Sequence, residues 1–170
     1  MNDHVESLSS QQLAGLRRSL NCPILTMNDQ EYDQARRVWN GMIDRKPSAI
    51  VRPTTIAEVM QTVRIAREDR IPVSVRGGGH SVAGKSVASG VLMIDLSLMN
   101  SVQVNPAAQT AVAQGGAKWG AFDTEAERYQ LATTGGVISS TGVCAMSTTS
   151  TEKGARSSGP TDSSVRVATM

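Results

Sequence analysis

The stretch Arg76-Gly77-Gly78-Gly79-His80-Ser81-Val82-Ala83-Gly84-Lys85-Ser86 puts three consecutive glycines directly before a histidine. Glycines lack Cβ atoms and admit φ > 0, so successive backbone N–H groups can turn toward one point. Such a loop can hold a phosphate or pyrophosphate. His80 stands at its end, where an imidazole would lie beside whatever the loop cradles. Taken alone, a glycine turn with a histidine is more often a plain loop, so the flanking sequence has to decide.

Two familiar phosphate motifs can be tested on these residues. Gly79 to Ser86 fits G-x-x-x-x-G-K-[ST] letter for letter, and Val91-Leu92-Met93-Ile94-Asp95 resembles an apolar strand ending in a magnesium-binding aspartate. A nucleotide triphosphatase loop, however, needs a helix starting at the Lys-Ser pair. Ser86-Val87-Ala88-Ser89-Gly90 is too short and too glycine-broken for one, and no crossover fits before Val91. The dinucleotide fingerprint G-x-G-x-x-G fails because Val82 stands where the third glycine belongs.

The elements that must position the loop read as follows. Ser9 to Leu20 predicts a helix through Leu13, Leu16 and Leu20. Asp29 to Ile43 predicts another, with Tyr32, Ala35, Val38, Trp39 and Met42 on one face. Ala49 to Val51 reads as a strand. Thr55-Ile56-Ala57-Glu58 has capping-box spacing and opens a helix through Asp69, with Ile56, Val59, Met60, Val63 and Ala66 as its apolar stripe. Val73 to Arg76 returns as a strand, so Ala49 to Arg76 is a β-α-β unit with parallel strands. Val91 to Leu96 is a buried strand. Val102–Val104 and Thr110–Gln114 form a hairpin about Asn105-Pro106. Lys118 to Tyr129 is a helix with Trp119, Phe122, Ala126 and Tyr129 facing inward. Thr134-Gly135-Gly136 is a second glycine turn, leading into Val137 to Val143.

Composition narrows the class. The 170 residues are 39% hydrophobic and 19% charged, with a net charge of +2, as in a globular domain or part of one. Lys and Arg are scattered, which gives no argument for nucleic acid. Two histidines, His4 and His80, and two cysteines, Cys22 and Cys144, make neither a metal cluster nor a disulfide framework. No apolar run reaches membrane-span length and no secretory signal is visible, so a cytoplasmic location without membrane partners is the default expectation.

With these elements in place, the loop is similar to the flavin-attachment loop of the vanillyl-alcohol oxidase and p-cresol methylhydroxylase (PCMH) superfamily. Within that superfamily it most resembles the berberine-bridge-like branch. The resemblance runs from about Pro47 to Val143: Arg76 to Ser81 with Gly84 and Ser86, Val91 to Ser97, Gly115 to Trp119, Asp123, Leu131 to Gly136, and Ser140 to Val143. It implies an α+β fold, the N-terminal part of a two-subdomain PCMH-type FAD-binding domain. Residues 1–46 would be a helical lead-in, 47–145 the partial FAD-binding domain, and 146–170 a divergent, disordered tail rich in Ser and Thr.

The resemblance also implies roles. Arg76, Gly77, Gly78, Gly79, His80 and Ser81 would form the pyrophosphate loop. Ser139, Thr141 and Gly142 would lie in a second cofactor-contacting segment. His80 would bond covalently to the 8α carbon of FAD; a neutral imidazole is a nucleophile near neutral pH. The linked flavin would accept hydride from a small organic substrate and pass electrons to molecular oxygen. A second cysteinyl bond, known in the branch, would fall near Ile138. Cys144 is six residues on, so histidyl attachment alone is expected. The family pattern breaks at Cys144-Ala145-Met146-Ser147. A truncated or frame-shifted product is therefore the expectation, with a non-catalytic remnant as an alternative reading, and no catalytic base can be named.

Overall fold

Ser9 caps the first helix as its sequence directs. Its hydroxyl accepts from the Gln12 N–H (3.2 Å) and the Gln12 side chain accepts from the Ser9 N–H (2.9 Å), a reciprocal capping box. This helix, α1, spans Ser10–Ser19 in the computed structural model, which describes residues 7–146 and 165–168. Leu16 and Leu20 are buried, with Leu13 packed against them.

β1 (Ile24–Leu25), α2 (Tyr32–Ala35) and β2 (Ala49–Val51) follow. The helix expected over Asp29 to Ile43 stops at Ala35, and the reason lies in the glycine loop. Continuing it needs the Trp39 N–H to reach the Ala35 carbonyl. That carbonyl instead accepts from the Arg76 guanidinium, and the Trp39 N–H donates to the Gly79 carbonyl (3.0 Å). Two contacts with the glycine loop have replaced one helical bond. Trp39 and Met42, expected to face inward, are 60% and 92% exposed.

α3 (Ile56–Glu68) starts where Thr55 predicts. The Thr55 hydroxyl accepts from the Glu58 N–H (3.3 Å), and the Glu58 carboxylate accepts from Thr54 N–H (2.8 Å), Thr54 Oγ1 (3.0 Å) and Thr55 N–H (3.1 Å). These donors hold the Glu58 carboxyl below the usual carboxylate range, the Thr54 N–H contributing most. Because the folded-state value is depressed, the gain is present above the unfolded value and lost as pH falls through the folded one. Glu58→Ala should cost about 1 kcal/mol at neutral pH. The difference from wild type should vanish in acid, as read by urea denaturation at several pH values.

The inward face of α3 is not the stripe the spacing suggests. Thr62 and Ala66 are buried and Ile65 packs on the core, while Ile56, Met60 and Val63 are exposed. Thr62 can be buried because its hydroxyl donates to the Glu58 carbonyl (2.7 Å) one turn back, which leaves no orphan polar atom.

β3 (Val73–Arg76) and β4 (Leu92–Asp95) complete the first sheet, in the order β1-β2-β4-β3. β2 and β3 both run parallel to β4, which lies between them; β1 is antiparallel. All four β4 residues are buried. One face packs Ala49, Val51 and Leu92 under α1 and α3. The other packs Ile50 and Met93 with Leu25, Tyr32, Ala35 and Val87. The strands β2, β3 and β4 therefore deliver Arg52, the glycine loop and Asp95 to one edge, the carboxyl end where open α/β sheets bind ligands.

After a short 3-10 turn at Leu96–Leu98 comes a second layer: β5 (Val102–Asn105), β6 (Thr110–Ala113), α4 (Trp119–Glu127), α5 (Val143–Met146) and β7 (Val165–Ala168). The hairpin β5-β6 forms as its turn residues predict, and the Asn105 side chain accepts from the Ala108 N–H (3.1 Å). Trp119, Phe122 and Ala126 of α4 pack on Ala111, Ala113, Ala117 and Val143. Tyr129, expected inward, lies beyond the end of α4 and is exposed. β7 pairs antiparallel with β6, so the tail expected to be disordered holds a strand at Val165–Ala168. The rest of that expectation, 147–164 and 169–170, falls outside the described residues. The α+β class is borne out.

Candidate functional site

The glycine loop leaves β3 at Arg76 and is pinned from below by a buried carboxylate. Asp95 is fully buried. Its oxygens accept from Arg52 Nε (3.2 Å), Ser97 Oγ (2.9 Å) and the Ser97 N–H (3.2 Å), and Arg76 Nη1 lies 3.6 Å away. One carboxylate thus ties together the ends of three parallel strands. Asp95 caps the 3-10 turn at Leu96–Leu98 and also fixes both arginines. Removing a buried partner strands the remaining charges. Asp95→Asn should therefore cost about 3 kcal/mol, seen as a lower urea midpoint at unchanged slope.

Arg76 turns back from the loop: its guanidinium meets Ala35 and Asp95, and its Nε is buried with no partner among the described residues. Together with Glu31, Gln34, Ala35, Arg52 and Ser97 it lines a cavity of about 380 Å³.

The loop itself depends on glycine at two positions. Gly79 has φ +73°, in the left-handed region that favours glycine. Gly78 faces the backbone of Gly142, and a Cβ on Gly142 would lie 2.6 Å from the Gly78 nitrogen. Backbone therefore meets backbone where the two predicted segments cross. Among the described residues, the N–H groups of Gly78, Gly79, His80, Ser81 and Val82 are donated to no acceptor. Five consecutive donors, one of them on buried Gly79, are thus available to an outside acceptor. Successive backbone N–H groups of this kind can hold phosphate oxygens.

The second segment is held at the start of α4. Trp119 N–H donates to the Thr141 carbonyl (2.9 Å), Gly120 N–H to the Ser139 carbonyl (2.8 Å), and Val143 N–H to the Ala117 carbonyl (2.9 Å). The first N–H groups of α4 are thereby used, so this helix end offers no free anion site. Ser140, between the positions predicted for cofactor contact, places its Oγ 3.1 Å from His80 Nε2. The imidazole also stacks on Trp39, with centroids 5.4 Å apart and planes inclined by 21°. Arg76, Gly77 to Ser81, Thr141 and Gly142 therefore gather at one junction, with the Ser139 carbonyl beside them at the start of α4. Sequence reasoning missed Trp39, Asn40, Ser140 and Arg52; Ser140's place inside the second segment was the available signal.

The triphosphatase alternative lacks its helix. Residues 81–91 contain no helix or strand, Lys85 is exposed, and Ser86 is buried. Burial raises the thiol pKa of both Cys22 and Cys144, which keeps them protonated.

A parallel sheet that ends in a glycine loop with unspent amides, crossed by a second glycine segment, defines a nucleotide-cofactor-binding module. Comparison with known proteins makes the class specific. The profile of the family described as FAD binding domain matches residues 47–170, through the tail that composition set apart. (R)-6-hydroxynicotine oxidase of Paenarthrobacter nicotinovorans is 30% identical over 128 residues, covering 75% of this chain and 28% of that protein. The FAD-linked oxidoreductase hasG of Aspergillus fumigatus is 34% identical over 129 residues, covering 74% of this chain and 26% of that protein. Among solved structures, 6-hydroxy-D-nicotine oxidase of Arthrobacter nicotinovorans superposes with a TM-score of 0.71 at 31% identity, covering 74% of this chain and 28% of that one. BBE-like 1 of Physcomitrella patens superposes with a TM-score of 0.69 at 27% identity, covering 78% and 29%. The chain belongs to the FAD binding domain family of FAD-linked oxidoreductases, and its cofactor is FAD. It spans between a quarter and a third of the length of these relatives.

Proposed function

We propose that this chain supplies the pyrophosphate loop and the flavin-attachment residue of an oxidase acting on a small organic molecule, with oxygen as electron acceptor. The observation that carries this reading is the row of unspent amides from Gly78 to Val82, interrupted by a histidine side chain and crossed by Gly142. The amides would hold the pyrophosphate oxygens. His80 would hold the flavin at its 8α carbon, with Ser140 orienting the imidazole through Nε2. Ser139 and Thr141 would line the second wall. FAD supplies hydride acceptance when bound, and the protein orients and tunes it. The oxidases named above act on small molecules, which supports the substrate class.

The test is direct. The chain is saturated with FAD, denatured, and run on a gel viewed for flavin fluorescence. Fluorescence that stays with the polypeptide is the expected result. A chain that retains no flavin and instead binds magnesium-ATP through Lys85 would contradict the reading.

A further inference from the structure

We infer that Trp39 is a positioning residue for His80, an inference that rests on the reading of His80 as the flavin-attachment residue. Trp39 is a large aromatic residue left 60% exposed, so core burial does not explain where its ring sits. What fixes it is the loop. The Trp39 N–H donates to the Gly79 carbonyl (3.0 Å), and the neighbouring Asn40 side chain donates through Nδ2 to the Val82 carbonyl (2.9 Å). Asn40 Oδ1 accepts from the Met42 N–H (3.1 Å), which locks the amide in that orientation. The segment is thus fastened to the loop on both sides of His80.

Between those two fasteners the indole lies against the imidazole, 5.4 Å centroid to centroid and 21° from parallel. A histidine on a glycine loop has few neighbouring side chains to set its rotamer, because the glycines before it carry none. Here two contacts do so: the Trp39 face sets the plane of the ring, and Ser140 Oγ at 3.1 Å from Nε2 sets its rotation within that plane. A ring held in both senses meets its reaction partner at a fixed angle, and orientation of this kind is a rate effect more than a binding effect.

In the attachment it would serve, a bond would form between a His80 ring nitrogen and C8α of bound FAD. The ring N–H proton and one methyl hydrogen would be lost, and the two electrons released would reduce dioxygen to hydrogen peroxide. Trp39 touches the imidazole and takes no part in the bond changes.

Adduct formation is followed as flavin retained after denaturation of FAD-saturated protein. Reversible FAD affinity is measured separately in the His80→Ala background. Trp39→Ala should slow adduct formation roughly three- to ten-fold, the range an aromatic stack supports. FAD affinity should stay within about twofold, since every loop amide remains. Trp39→Phe should restore most of the rate. Wild-type adduct with an unchanged rate in Trp39→Ala overturns the inference alone. So does an affinity that falls in step with the rate, because Trp39 would then merely hold the loop. A wild-type chain that binds FAD reversibly and forms no adduct overturns the attachment reading, and this inference with it.

Discussion

His80→Ala should abolish all flavin retained after denaturation while leaving reversible FAD binding within a few-fold of wild type. The two effects separate because they rest on different atoms. In the proposed site, retention would depend on one imidazole nitrogen. Reversible binding would depend on the backbone donors of Gly78 to Val82, which a side-chain truncation leaves in place. The imidazole's contacts are Ser140 and Trp39, so its removal opens no gap in the buried core. Difference absorbance of flavin on acid-precipitated protein reads the first effect, and equilibrium dialysis reads the second. A variant that still carries flavin through denaturation would move the attachment elsewhere, with Cys144 the next residue to test.

Gly78→Ala should be the most damaging single methyl in the site. The added carbon would overlap the backbone nitrogen and Cα of Gly142, and neither can yield as a flexible side-chain tip could. Overpacking of this kind costs about 1–3 kcal/mol or more. The alternative is separation of the two segments, which breaks the junction that aligns the loop amides. Each hydrogen bond lost to a charged phosphate is worth about 1.5–3 kcal/mol, so FAD affinity should fall at least roughly tenfold. Gly41→Ala is the control: nothing lies within 4 Å of its Cβ position, and its effect should stay within about 0.5 kcal/mol. Equal behaviour of the two variants in dialysis and in urea denaturation would contradict the close approach.

What was legible in the sequence was whatever closes within one turn of chain. Thr55 with Glu58 marked a helix start and forms its reciprocal cap, and the helix expected from Ser9 also opens with one, between Ser9 and Gln12. The Asn105 turn marked its hairpin. The triple glycine marked the loop, because only backbone geometry was at stake. Contacts between distant segments were not legible. The helical period over Asp29 to Ile43 was real, but Arg76 and Gly79 took the hydrogen-bonding groups that would have extended α2, and Trp39 left the apolar face it was assigned. On α3, hydropathy could not foresee that Thr62 satisfies its own hydroxyl and takes the inward position that Met60 and Val63 were assigned. Asp95 read as the end of an apolar strand. Its hold on Arg52 and Arg76 depends on β4 lying between β2 and β3, an order that local patterning does not encode.

Peptide mapping of the FAD-saturated chain is the sharpest trial of the claim that His80 bears the flavin. Cleavage after Arg76 and Lys85 releases Gly77 to Lys85 as one fragment, which contains His80 and no cysteine. This fragment should carry the added mass of one covalently bound FAD. Flavin mass on the fragment containing Cys144, or none on any fragment of a chain shown to be saturated, would contradict it.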